Sequence, residues 1–249
     1  MHFHLPKPLH GWREFAGEVG IIVIGVLIAL GAEQLVESVH DRNVAQETRA
    51  SLTAEFDDAL ASLALRNSVE PCVDRRLDEL RVIMNDWERT GHFDRPQWVA
   101  QSPSMEIALA RYDAAQSAGR LALLPSEEQF RLGSLAAELK EFGAMQEREH
   151  DAWGRLRLLQ AGADALSPGD RPMLRAALQD ASMLNYRVKL SIAQQLPQAM
   201  SYGFRPDLTN FYRTRNRILK GSGFRPSICL PIDTPPSVGN QNQVVPLPA

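Results

Sequence analysis

The feature that most constrains this chain is an apolar run near its N-terminus. In the stretch GEVGIIVIGVLIALGAEQ, Gly17 to Gln34, the residues from Val19 to Ala32 carry no charge, and a glutamate stands at each end. Residues 21–30 are nearly all Ile, Val and Leu, without the polar stripe that a helix on a soluble core shows. Apolar and aromatic residues extend the run on both sides, so we predict a transmembrane helix over residues 13–36.

Two alternatives to a retained membrane anchor exist. A cleaved signal peptide has a basic start, a short apolar core and a small-x-small cleavage site, for which Ala29-Leu30-Gly31 would serve. The acidic residues before the apolar run, and the helical pattern after it, speak against cleavage. A buried helix of a soluble domain is the third interpretation, and the missing polar stripe disfavours it. We therefore favour the retained anchor.

Charges beside the predicted span indicate its orientation. Basic residues precede the apolar run and mainly acidic residues follow it: Lys7 and Arg13, then Glu33, Glu37 and Asp41. The positive-inside rule then assigns residues 1–12 to the cytoplasm as a short N-terminal segment. We predict a protein of the bacterial inner membrane, with its main domain in the periplasm.

One face of the predicted span combines acidic and small residues. At 100° per residue, five side chains fall within about 60° of one another: Glu14, Glu18, Gly25, Ala29 and Ala32. A small-xxx-small pair lets a second helix approach closely, so this face predicts a helix–helix interface in which Glu18 pairs with a partner. Alternatively, Glu18 reaches water at the headgroup level and the small residues have no role. The expected partners are membrane lipid and either a transmembrane helix of another protein or a second copy of this chain.

The rest of the chain to residue 200 reads as helices without strands. No stretch shows the alternating β-branched pattern of a sheet, so we predict an all-α bundle domain over residues 37–200. The helical periodicity predicts five helices: the anchor continuing through 33–66 as one helix, a second from Pro71 to before Gly91, a third over 104–117, a fourth from an N-cap at Ser126 to about Leu159, and a fifth from Asp170 to about Gln195. In the fourth helix, Gln146 and Glu149 take positions of the apolar seam. The apolar positions of the fifth include Leu178, Leu190 and Ile192.

The C-terminal part has a different character. Residues 201–220 predict a short basic helix with Arg213, Arg215 and Arg217, which suits anionic lipid headgroups, an acidic protein face or plain solvent. An exported domain meets no nucleic acid, and a net charge of −3 gives no support for such a partner. Residues 221–249 are proline-rich without helical periodicity, so we expect an extended or disordered tail that straps over a partner.

Few residues suggest chemistry. Two Glu-x-x-His pairs, Glu37 with His40 and Glu147 with His150, resemble half of a di-metal carboxylate bundle, although chance matches are common in a Glu-rich chain. Motifs of the GxSxG, HExxH, P-loop and GxGxxG types are absent, so we predict no catalytic residues and no cofactor. The two cysteines, Cys72 and Cys229, form one disulfide if the domain is exported, or are two buried thiols.

Two stretches together resemble a known group of proteins. The anchor GEVGIIVIGVLIALGAEQ and the segment RYDAAQSAGRLALLPSEEQFRLGSLAAEL, Arg111 to Leu139, are similar to an uncharacterised family of bacterial single-pass membrane proteins with a GE-x-hydrophobic-IGILIAL-like anchor. The resemblance covers about half of the chain. It implies a membrane-anchored helical domain and brings no catalytic residues.

These features predict a membrane-anchored interaction or accessory subunit, a scaffold or assembly factor without catalysis of its own. It would dock through the face of the span that carries Glu18, Gly25 and Ala29, and through the basic segment and tail. The alternative is a periplasmic ligand-sensing module that acts through a partner. A di-metal carboxylate enzyme is the least favoured alternative.

Overall fold

The protein is built from helices that surround two hydrophobic clusters. The computed structural model describes residues 11–206, 208 and 227–233; the side chains of Arg13, Glu14 and Ser227 are not among the features described. The helices are α1 (Trp12–Ser68), α2 (Glu70–Thr90), α3 (Ala110–Ser117), α4 (Ser126–Leu156) and α5 (Asp170–Ser201), with short 3₁₀ turns between them and at Ser227–Cys229. This part of the chain holds no strand, which confirms the all-α prediction.

Helix α1 connects the apolar run to the bundle without a break. Its 57 residues would extend over about 85 Å at 1.5 Å per residue. From Trp12 to Glu47 no described side chain is buried, and Thr48 is the first that is. The N-terminal part of α1 therefore projects from the bundle. The helix ends where Pro71 opens α2, because a proline ring within a helix clashes with the carbonyl four residues earlier.

The bundle has two halves that share α4 and α5. In one half, the C-terminal part of α1 packs with α3, the first part of α4 and the last part of α5. In the other half, α2 packs with the last part of α4 and the first part of α5. Helices α4 and α5 thus run antiparallel along both clusters, and the α1–α2 junction lies between the clusters.

The third helix is shorter than the predicted 104–117, because side chains from two other helices bind the backbone of this region. The Gln146 side chain on α4 accepts a hydrogen bond from the Met105 N–H at 2.8 Å and donates one to its carbonyl at 2.9 Å, which holds that residue outside a helix. The Glu55 carboxylate on α1 then accepts the N–H groups of Arg111 and Tyr112 at 2.7 and 2.8 Å. These donors lie in the first turn of α3 and have no partner within the helix.

Several predicted details of α4 and α5 are wrong. Pro125 holds the N-cap position of α4, so Ser126 is its first residue and makes no capping bond. Helix α4 ends at Leu156, and a 3₁₀ turn follows it.

Helix α5 is longer than predicted, since it continues past Pro197 to Ser201. Leu190 on α5 is 44% exposed, whereas Val188 lies in the core. Helix α5 continues past Pro197 despite the lost hydrogen bond and the ring clash, because the buried Ala199 packs the last turn into the first cluster.

Residues 227–233 of the predicted tail pack against the bundle instead of extending from it. A disulfide joins Cys229 to Cys72 on α2, and Ile228 is buried in the second cluster. The buried guanidinium of Arg76 donates to the carbonyls of Trp98, Val99 and Leu230. The disulfide and these hydrogen bonds attach three distant chain segments to one another. The prediction of an extended or disordered tail is therefore wrong for these seven residues.

Candidate interaction site

The apolar part of α1 is a long exposed surface within the described chain. This helix is long and apolar enough to cross a membrane, and no residue of its apolar window is buried. Isoleucine, valine and leucine side chains between positions 21 and 36 are 48–74% exposed. Exposed apolar surface of this extent marks a contact with lipid or protein, since water solvates it poorly.

The five residues of the predicted helix–helix face all lie on this projecting helix. Glu18, Gly25, Ala29 and Ala32 are exposed; Glu14 belongs to the helix, but its side chain is outside the described features. A Cβ placed on Gly25 meets no atom within 4 Å. The face is thus open along its described length, and the approach of a second helix would meet no obstacle from this chain.

The two Glu-x-x-His pairs lie in different surroundings. Glu37 and His40 are exposed on the projecting part of α1, while on α4 Glu147 is exposed and His150 is half-buried. Within residues 11–206, 208 and 227–233, no group of three or more His, Cys, Asp or Glu side chains could hold a metal ion. The described residues therefore do not assemble the four-carboxylate, two-histidine set of a di-metal bundle.

The predicted basic contact lies outside the described residues, whereas the two cysteines are described and are bonded to each other. Arg213, Arg215 and Arg217 lie outside the described residues, as do residue 207, residues 209–226 and the tail after Asp233. Cys72 and Cys229 form a disulfide with a Cα–Cα distance of 4.9 Å, which decides between the two alternatives that the sequence left open.

A buried ion network, centred on Arg66, lies between the two hydrophobic clusters. The fully buried Arg66 guanidinium, at the end of α1, contacts the Glu70 carboxylate on α2. It also donates to both oxygens of Glu149 on α4, at 3.0 and 3.1 Å, and to the Asn185 side-chain oxygen on α5, at 3.3 Å. One guanidinium thereby joins four helices at the point where α1 gives way to α2.

The network continues from Asn185 to the bundle surface. The Asn185 amide donates to Asp74 at 2.8 Å, and the Lys189 ammonium donates to the second Asp74 oxygen at 2.7 Å. The network thus contains two cations and three carboxylates, a surplus of one negative charge. A single added proton would remove this surplus.

Glu70 is the carboxylate whose environment most favours that proton. Burial and the nearby carboxylates of Glu149 and Asp74 raise the pKa of Glu70, and the cations of Arg66 and Lys189 lower it; together they move it from 4.5 to about 7, with burial the largest cause. One oxygen of Glu70 has no hydrogen-bond partner in the described chain. Near neutral pH the network therefore exchanges a proton at Glu70.

The sequence contained a signal for part of this network. Gln146 and Glu149 occupy seam positions of α4, and both are buried as that pattern predicts. Arg66 follows Leu52, Phe56, Ala59 and Leu63 at helical spacing, which marks it as a core position. A charge at such a position needs a buried partner, and Glu149 is the carboxylate on a facing seam. Combining the two patterns would have found the central ion pair.

Comparison with protein families, curated proteins and solved structures found no match to this chain. The resemblance to the bacterial single-pass family therefore stays a prediction. The described residues define a class: an all-α protein whose N-terminal helix is long and apolar enough to span a membrane.

Proposed function

We propose that this protein is a membrane-anchored interaction or accessory subunit of a bacterial inner-membrane complex, without catalysis of its own. In this proposal the N-terminal part of α1 spans the membrane over residues 13–36, and the bundle lies in the periplasm. The uncharacterised single-pass family that the sequence resembles fits the same architecture.

The observation that carries the proposal is the structure of α1. One uninterrupted helix presents its N-terminal part without any buried residue, and inserts its C-terminal part into the core of the bundle. Such a helix holds the bundle at a fixed distance from the membrane. This arrangement suits a protein that positions other proteins or itself.

The face with Glu18, Gly25 and Ala29 supports a helix partner in the membrane. A carboxylate within the apolar zone costs a few kcal/mol on insertion scales, and a polar partner offsets that cost. Helices associate in membranes through small residues that let their backbones approach, and Gly25 faces open space. The proposed docking partner is a transmembrane helix of another subunit or a second copy of the chain.

The disulfide supports the proposed compartment. Stable disulfides form in the bacterial periplasm and are rare in the cytosol, where thiols are kept reduced. The Cys72–Cys229 bond therefore agrees with the orientation that the charges beside the span predict.

The test compares two glycine-to-leucine variants within the span. Gly25→Leu adds bulk on the proposed face, whereas Gly20→Leu adds the same bulk about 140° away at 100° per residue. A Cβ placed on either glycine meets no atom within 4 Å and both positions lie on the projecting part of α1, so both variants should insert and fold. Each is purified from membranes in mild detergent, and the stoichiometry of co-purifying subunits is measured by gel filtration and mass spectrometry.

The expected result is loss of a stoichiometric partner, or of the dimer, in Gly25→Leu alone. Glu18→Gln should weaken the same association, because the amide keeps the shape but loses the charge. If both glycine variants keep their partners, or if the wild-type protein elutes as a monomer without any, the proposed docking face is wrong.

One feature favours the alternative of a periplasmic ligand-sensing module that acts through a partner. A groove opens beside α1 at the end of the bundle nearest to the projecting segment, and Thr48 and Leu52 of α1 line it. A change at this groove would reach the span through an unbroken helix.

A further inference from the structure

The groove beside α1 has the size and composition of a small-ligand site. Its volume is about 460 Å³, within the range of about 300–1,000 Å³ that is usual for such sites. Leu52, two alanines of α3, Ala114 and Ala115, and Ala118 just after α3 form its apolar part. Its polar part consists of side chains from α1 and of two arginines near the two ends of α3: Glu47, Thr48 and Ser51, and Arg111 and Arg120.

A buried hydroxyl in this groove has no partner. Thr48 is 4% exposed, and its side-chain oxygen makes no hydrogen bond within the described residues. Buried hydroxyls in folded proteins nearly always have a partner. Thr48 also lines the groove, so a turn of its side chain toward a bound ligand would give the hydroxyl this missing partner.

Two guanidinium groups in the groove also have N–H donors without a partner in the described chain. Arg111 makes one side-chain hydrogen bond, a long contact of 3.4 Å to the Ser51 carbonyl. No ion pair or hydrogen bond of the Arg120 side chain is found in the described part of the chain. Glu47 is the single carboxylate among the lining residues, so the groove carries a surplus of one positive charge.

We propose that this groove binds a phosphate monoester, with its phosphate on Arg111 and Arg120 and its organic part on the alanine surface. Guanidinium groups match phosphate oxygens in bidentate geometry. Two guanidiniums and one hydroxyl supply more donors than the two oxygens of a carboxylate require, whereas phosphate offers three oxygens. This site does not depend on the proposed accessory function.

The position of the groove favours a ligand from solution over a lipid headgroup. Thr48 lies twelve residues beyond Val36, the last residue of the proposed span, which corresponds to about 18 Å along the helix. The headgroup layer is about 5–8 Å thick on each side of the hydrocarbon core. The groove therefore lies beyond the headgroups, and only this assignment of the source rests on the proposed span.

The test is isothermal titration of the full-length protein in detergent with phenyl phosphate and with inorganic phosphate. We expect saturable binding of both, with phenyl phosphate several-fold tighter because its ring covers the alanine surface. Arg111→Gln and Arg120→Gln should each weaken phenyl phosphate binding at least tenfold, and Thr48→Val should weaken it several-fold. Glu47→Gln should strengthen binding, since it removes the one opposing charge.

A matched control and a lipid arm complete the experiment. Arg155→Gln, an exposed arginine paired with Asp180 in the other half of the bundle, should bind phenyl phosphate as the wild type does. No saturable binding up to 10 mM phosphate, or equal affinity in all arginine variants, would overturn the site. Displacement of phenyl phosphate by nanodiscs of phosphatidylglycerol, but not of phosphatidylcholine, would overturn the assignment to a soluble ligand.

Discussion

Replacing Glu70 by glutamine should change how the stability of the protein depends on pH. The Glu70 carboxyl ionises at about pH 7 in the folded protein, against an ordinary value of 4.5 in the unfolded chain. Below pH 4.5 the group is protonated in both states, and the stability that its protonated form provides is fully present. Between pH 4.5 and 7 the unfolded chain releases the proton first, so stability falls as the pH rises.

The size of this loss follows from the shift in pKa. A difference of about 2.5 units corresponds to about 3 kcal/mol at 1.36 kcal/mol per unit. Glutamine mimics the protonated carboxyl, and its oxygen still accepts a hydrogen bond from Arg66. Relative to wild type, Glu70→Gln should therefore have nearly the same free energy of unfolding at pH 4.5, and a free energy about 3 kcal/mol higher at pH 8.

The assay is urea unfolding of the detergent-solubilised full-length protein at several values between pH 4.5 and 8, followed by near-ultraviolet circular dichroism of the buried Trp87 and Trp153. Glu141→Gln is the control, because Glu141 is 53% exposed in its pair with Arg148 and such a pair contributes at most about 1 kcal/mol. A constant difference between Glu70→Gln and wild type across this range would refute the reasoning.

Two further predictions concern the buried ion pair and the disulfide. Arg66→Leu leaves the buried carboxylates of Glu149 and Glu70 without their cation and should lower the free energy of unfolding by about 3–5 kcal/mol at pH 8. Adding Glu149→Leu removes one of these two carboxylates and should recover part of that loss in urea titrations; a double variant as unstable as the single one would contradict this. The Cys72–Cys229 bond closes a loop with a sequence separation of 157, so replacing both cysteines by serine should destabilise the protein by up to about 5 kcal/mol. In intact cells, Cys72 and Cys229 should resist alkylation until a reductant is added. Alkylation without a reductant would contradict both the disulfide and the periplasmic location.

The sequence predicted most of the helices because their determinants are local. Helical periodicity and the absence of proline and glycine between Glu33 and Arg66 predicted the continuous first helix, and Pro71 and Gly91 marked the limits of the second. The seam of α4 predicted its buried face, including the polar positions Gln146 and Glu149. Each of these features depends on residues within a few turns of one another.

The sequence failed where distant side chains decide the backbone. Residues 104–109 have a helical pattern, but Gln146 and Glu55 bind the backbone in and just after this segment, so the helix begins only at Ala110. Residues 227–233 have no helical pattern, yet the disulfide and Arg76 attach them to α2. No local pattern reports contacts that join residues more than 150 positions apart.

The amino-acid sequence by itself thus determined the membrane-competent helix, the all-α class and the small-residue face with Glu18 and Gly25, because composition and helical periodicity encode them directly. Tertiary structure alone decided the pairing of Cys72 with Cys229, the four-helix contact of Arg66 and the groove between α1 and α3. These features form where helices meet, and their energies depend on burial and charge separation that exist only after the chain has packed.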